Sequence, residues 1–135
     1  MRQSGLETPV KDPFRVGVII SSAIGGITTL EEGMFKLLET GPRRISPFVI
    51  PMLMSNGGSG LVSIDYGFKG PSFSVASACA SSSDGIGTAW RLLKSGEIDV
   101  AIAGGSESTI TTIGVASFDR LGAMSRRNED CSMTP

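Results

Sequence analysis

The sequence predicts an α/β fold, a mostly parallel mixed sheet with flanking helices. Three observations carry that expectation. Two short apolar runs, Arg15 to Ser21 and Asp99 to Ala103, lack strict alternation and so read as strands buried on both faces. Segments of helical period lie between and after them. Much of the abundant glycine, 18 of 135 residues, falls where strands would meet helices.

Taken in order, residues 1 to 14 are polar with two prolines and read as a lead-in loop. Arg15 to Ser21 is the first strand. Gly25-Gly26 opens a helix in which Thr28 and Glu31, and Thr29 and Glu32, have capping-box spacing. Leu30, Met34, Leu37 and Leu38 form one apolar stripe, Glu32 and Lys36 can pair, and Gly41-Pro42 ends the helix. Pro51 to Tyr66 reads as a helix, although Asn56-Gly57-Gly58-Ser59-Gly60 costs it up to ~1 kcal/mol per glycine. Close approach of another backbone would explain that run.

Gly67 to Pro71 is a turn, and Ser72 to Ala78 alternates in part as a strand. Ser81, Ser82, Ser83 and Asp84 are N-cap candidates for a helix carrying Ile86, Ala89, Trp90 and Leu93. Lys94 and a left-handed Gly96 end it. Asp99 to Ala103 is the next strand, Ile113 to Leu121 a short helix, and Ser125 to Pro135 a polar tail. The chain stops there without a terminating element, as an internal piece of a longer protein would.

Composition excludes several functions. With 40% hydrophobic and 19% charged residues the chain is globular. A net charge of −1 provides no field for nucleic acid or anionic lipid. The longest apolar run, Phe48 to Met54, is too short to span a bilayer, and the first residues lack the apolar core of a signal peptide. Two distant cysteines in unlike contexts argue against a disulfide scaffold, so the expected location is cytoplasmic. Histidine is absent, which removes the commonest general base and a common metal ligand. No cofactor or metal is expected.

One junction stands out: a strand, then Cys79, then a helix. A thiol there faces free N–H groups, whose partial positive charge favours thiolate and can stabilise an oxyanion. The same pattern also fits a small buried cysteine filling a helix–strand contact. Cys131, in the charged run Asn128 to Ser132, reads as incidental. Gly85-Ile86-Gly87 begins a dinucleotide fingerprint that fails at Trp90, and no P-loop occurs. Gly104-Gly105-Ser106-Glu107 reads as a tight strand exit with Glu107 solvated or capping a helix. Arg43-Arg44 and Arg126-Arg127 are basic pairs of ordinary surface type.

The motifs together go further. Ile24-Gly25-Gly26, the run Gly41-Pro42-Arg43-Arg44-Ile45-Ser46-Pro47-Phe48, Lys69 to Ser72, Ala78 to Ser82, Gly85-Ile86-Gly87 and Asp99 to Glu107 follow one another in spacing. In this the chain resembles the elongating β-ketoacyl-acyl-carrier-protein synthases of fatty-acid synthesis, which have the thiolase-like fold. The resemblance runs from about Ser4 to Pro135 and implies an incomplete thiolase-like half-domain, residues 1–135 being part of the N-terminal domain. It implies that Cys79 takes the acyl chain as a thioester, its own N–H being half of an oxyanion hole. A malonyl thioester then condenses with it. It places Ile24 and Phe118 at the acyl pocket and Arg43 and Arg44 at the docking surface for acyl carrier protein. The strand Ser72 to Ala78 would pair with a twofold mate in a homodimer. Family members carry a preceding strand and a second half with catalytic histidines and a lysine. The isolated chain is therefore expected to be inactive and to fold incompletely or depend on a partner. A polyketide ketosynthase, a thiolase relative and a non-catalytic dimerising fragment remain as alternatives.

Overall fold

The structure, a computed structural model, describes residues 3–129. The elements run β1 (Val16–Ser21), α1 (Ile27–Thr40), α2 (Val49–Leu53), α3 (Gly57–Tyr66), β2 (Ser72–Phe73), α4 (Ser81–Lys94), β3 (Val100–Gly105) and α5 (Thr112–Arg120). The sheet order is β2-β1-β3 and every pairing is parallel, from Val16 with Val100 to Ser21 with Gly105. Helices flank it, as the α/β reading expects.

β1 sits in the middle because its residues suit both faces. Val16 and Val18 point to one side and pack with Phe68, supported by Ile20 and Val62. The intervening residues meet the other side. A Cβ on Gly17 would run into Ile98, and one on Gly85 of α4 into the Ser21 hydroxyl. Thus α3 covers one face of β1 and α4 the other. At the N-terminal end Arg15 Nε donates to Asp99 Oδ2 at 3.0 Å and Arg15 Nη2 to Asp99 Oδ1 at 2.6 Å, beside the Asp99 N–H to Arg15 carbonyl bond of 2.8 Å. The pair fixes the register of β1 on β3 more than it adds stability, since it is solvated.

Several sequence expectations need correction. β2 covers two residues where Ser72 to Ala78 was expected, for reasons set out with the site below. β3 is an edge strand, so it is only partly buried. The Pro51 to Tyr66 helix is two helices, α2 and α3, broken at Met54 to Asn56. Of the glycines in that run, Gly58 alone approaches another element, the side chain of Ile20. The helix starts also differ. Gly26 and Ala80 occupy the N-cap positions of α1 and α4 without side-chain capping bonds. The helix stops are as read: Gly41 ends α1 and Gly96, at φ +73°, follows α4.

The apolar stripe of α1 covers no core. No α1 residue is buried, and Leu38 is 76% exposed. Ile64 of α3, Trp90 of α4 and Ile113 of α5 are likewise exposed. The helical period was correct, but these faces are open. No helix among the described residues is long and apolar enough to cross a membrane.

Ser59 of α3 is fully buried against the sheet. Its hydroxyl accepts from the Ile20 N–H at 2.8 Å and donates to the Phe73 carbonyl at 2.8 Å, with the Ile20 carbonyl 3.1 Å away. It therefore joins α3, β1 and β2 through one atom. Replacing it leaves buried backbone groups unpaired, so Ser59→Ala is expected to destabilise the protein by about 2 kcal/mol, read from the urea midpoint at unchanged m-value. An unshifted midpoint would show that these bonds are replaced without cost.

Candidate active site

The C-terminal ends of β1 and β3 meet the segment that leads into α4, the edge of a parallel sheet where ligands usually bind. The chain there leaves the ladder because serine hydroxyls take the place of ladder partners. The Val75 N–H donates to Ser21 Oγ at 3.2 Å, and the Ser22 N–H donates to Ser74 Oγ at 3.1 Å. Beyond them the backbone turns. Ala80 N–H bonds the Ser77 carbonyl and Ser81 N–H the Ala78 carbonyl, both at 3.1 Å. Ala78 is at φ +51°, a left-handed conformation costing an L-residue about 1–2 kcal/mol.

Cys79 follows directly and is exposed. The reading of it as a small buried filler therefore fails. The Ser81 hydroxyl, an expected cap, instead accepts from the Ser77 N–H at 2.9 Å and donates to the Ala78 carbonyl at 2.7 Å. That bond closes the turn rather than the helix. The first N–H groups of α4 have no carbonyl within the helix to bond, and its N-cap Ala80 supplies no side-chain acceptor. The Ser77 hydroxyl is buried and also unpartnered. Glycine suits position 85, because a side chain there would meet the Ser21 hydroxyl and oblige Ser21 or α4 to shift. The arrangement is an accessible thiol beside unsatisfied donors, suited to attack on a carbonyl carbon.

Ile24 is 47% exposed on the loop between β1 and α1. Glu107, just past β3, holds that loop. Its Oε2 accepts from the Ser22 hydroxyl at 3.1 Å, the Ala23 N–H at 2.7 Å and the Ile24 N–H at 3.0 Å. The expectation of a merely solvated or helix-capping Glu107 is thus corrected. Gly25, at φ +82°, lets the loop press on the Leu53 carbonyl, which accepts from the Gly26 N–H at 3.1 Å.

Phe118, 40% exposed, lies on α5. The start of α5 is capped by the Thr111 hydroxyl, which accepts from the Gly114 N–H. It is also tied to α1 by Glu31, whose carboxylate accepts from Thr112 N–H at 3.1 Å and Ile113 N–H at 2.7 Å. Arg43 and Arg44 are exposed on the 3-10 turn Pro42–Arg44 that follows α1. They lie on a different element from the Cys79 junction. Cys131 lies outside the described residues. No three His, Cys, Asp or Glu side chains converge as a metal site among the described residues.

Comparison with known proteins bears on these features. The family described as β-ketoacyl synthase, N-terminal domain, matches residues 1–134. A 3-oxoacyl-(acyl-carrier-protein) synthase 2 of Coxiella burnetii is 43% identical over 127 residues, 94% of this chain and 31% of that protein. The chloroplastic 3-oxoacyl-(acyl-carrier-protein) synthase I of Hordeum vulgare is 41% identical over 128 residues, 94% of this chain and 28% of that protein. The crystal structure of a β-ketoacyl synthase from Burkholderia phymatum superposes with a TM-score of 0.82 at 28% identity, over 98% of this chain and 32% of that one. The chain thus spans about a third of the length of these relatives.

The Ile113 N–H, and less so the Thr112 N–H, holds the Glu31 carboxyl below its ordinary value of 4.5. A carboxylate depressed on folding stabilises above its unfolded value and loses that contribution as pH falls through its folded value. Stability is therefore expected to drop on acidification below about 4.5. Glu31→Gln should flatten that part of the profile, measured by thermal unfolding across acidic buffers. Superimposable profiles would exclude the bond as a source of pH dependence.

Proposed function

The chain belongs to the β-ketoacyl synthase N-terminal domain family, and we propose that its Cys79 is the acyl acceptor of a 3-oxoacyl-acyl-carrier-protein synthase of fatty-acid biosynthesis. The observation that carries this reading is the exposed thiol on a strained turn, just before a helix whose N-cap makes no side-chain bond. The names of the Coxiella and barley relatives support the carrier-protein donor.

In the first step the Cys79 thiolate attacks the carbonyl carbon of an acyl thioester. The oxyanion is stabilised by N–H groups at the start of α4, the carbon–sulfur bond to the carrier breaks, and the carrier sulfur leaves as a thiol with the proton that Cys79 gave up. Ile24 and Phe118 border the acyl chain. Arg43 and Arg44 meet the acidic carrier protein, their exposure suiting a rim that steers a charged partner. In the second step a malonyl thioester loses carbon dioxide. Its carbanion attacks the Cys79 thioester, forming the carbon–carbon bond and freeing the thiolate. Stabilising that carbanion calls for donors this chain lacks, histidine above all. The condensation is therefore assigned to a longer protein of the relatives' length, acting as a cytoplasmic homodimer, and the chain alone carries the acyl-transfer half. The open apolar faces of α1 and α5 suit a role beneath further chain.

Incubation with an acyl-carrier-protein thioester, followed by peptide mass analysis, tests the reading. The expected adduct is on Cys79 and not on Cys131, and Cys79→Ala abolishes it. Reversing both Arg43 and Arg44 to Glu is expected to lower labelling by the carrier-borne donor about tenfold, while labelling by a small acyl thioester is kept. Equal labelling of both cysteines, or of neither, would sink the assignment.

A further inference from the structure

Glu107 ties the loop after β1 to the end of β3. Its one oxygen gathers the Ser22 hydroxyl and the consecutive N–H groups of Ala23 and Ile24 across more than 80 residues of chain. Bonds to an ionised carboxylate are shorter and roughly twice as strong as neutral ones. The far side of the loop is held by Gly26 N–H to the Leu53 carbonyl and by Gly25 N–H to Ser22 Oγ at 2.8 Å, the hydroxyl that itself donates to Glu107. The position of Ile24 thus depends on a charge from another element. Its side chain, nearly half exposed, holds no core and is free to meet a ligand. The turn that carries Cys79 is closed by its own bonds among Ser77, Ala78, Ala80 and Ser81, and the segment before it meets the loop through the Ser22 N–H to Ser74 Oγ bond. A groove of about 570 Å³ runs along this loop, lined among others by Ser22, Gly25, Met52, Met54, Leu61 and Glu107 but by neither Ile24 nor Cys79.

We propose that Glu107 is a positioning residue that sets which acyl-chain lengths Cys79 accepts, by fixing the backbone from which Ile24 projects. The inference rests on the reading of Cys79 as acyl acceptor and Ile24 as a neighbour of the acyl chain. A residue displaced by an ångström is enough to change a reaction rate by orders of magnitude. Loosening the loop alters the space for the chain without altering the thiol.

The test compares wild type, Glu107→Ala and Glu107→Gln in three measurements on the whole chain. Amide exchange reads the loop. Labelling of Cys79 by butanoyl and hexadecanoyl thioesters of N-acetylcysteamine reads selectivity. Alkylation by iodoacetamide reads the bare thiol. In Glu107→Ala the Ala23 and Ile24 amides are expected to lose protection and the hexadecanoyl-to-butanoyl labelling ratio to move about tenfold. The alkylation rate should stay within about twofold of wild type, as the thiol has its own supports. Glu107→Gln keeps an oxygen acceptor and is expected to retain most of the wild-type ratio. An unchanged ratio, or an equal fall for both donors, overturns the proposal while leaving the acyl-acceptor reading intact. Wild-type protein that takes neither acyl group overturns that reading, and the proposal with it. Should Glu107→Ala fail to fold, the Gln variant decides: a ratio unmoved while the two amides lose protection overturns the link between loop and selectivity. A ratio that shifts in step with their lost protection upholds it.

Discussion

The end of β1 is held by side chains where a sheet would ordinarily be held by its own ladder. Val16 to Ile19 sit in a regular parallel arrangement, buried between β2 and β3 and between two layers of helix. At Ser21 and Ser22 the pattern changes. Hydroxyls of Ser21, Ser59 and Ser74 take backbone partners from β1, from β2 and from the segments that follow them. A hydroxyl both donates and accepts and can rotate, so it satisfies a departing strand that ladder geometry would not. That substitution lets the chain after Phe73 leave the sheet, turn through Ala78 and present Cys79 at the surface. The buried hydroxyls of Ser21 and Ser59 cost little because they are paired.

Two carboxylates extend the same logic outward. Glu107 receives N–H groups from the loop before α1, and Glu31 receives those at the start of α5. Each gathers donors that have no partner within their own helix or loop, which a negative charge satisfies better than a neutral acceptor. Between them they connect β3, α1 and α5, the elements around Ile24 and Phe118. The apolar faces of these helices contribute little to the core, so polar attachments set their placement to an unusual degree.

Much of this was legible in local pattern. β1, α1, α4 and α5 follow from apolar period and from the stops at Gly41 and Gly96, which depend on a few adjacent residues. That Cys79 precedes a helix was legible too, but its exposure was not, because the same pattern fits a small buried cysteine. What was misread involves competition between near and distant partners. Thr28 and Glu31 have the spacing of a capping box, yet Glu31 bonds to α5 and Gly26 caps α1 in contact with the Met52 carbonyl. The serines from Ser81 onward read as caps, yet Ser81 closes the turn that precedes them. Ser72 to Ala78 alternates like a strand, but alternation does not tell whether a serine faces water or replaces a ladder partner. The left-handed Ala78 has no sequence signal, since alanine does not favour that conformation. Glu107 stood out only as the end of a motif, because its partners lie more than 80 positions away.

The dependence of the Cys79 turn on the Ser21 hydroxyl is best tested by amide hydrogen exchange, residue by residue, in wild type and Ser21→Ala. If hydroxyls take over from the ladder, the Val75 amide should exchange at least about tenfold faster in the variant, while amides paired between β1 and β3 keep their protection. Unchanged exchange at Val75, or loss of protection across the whole sheet, would contradict the account.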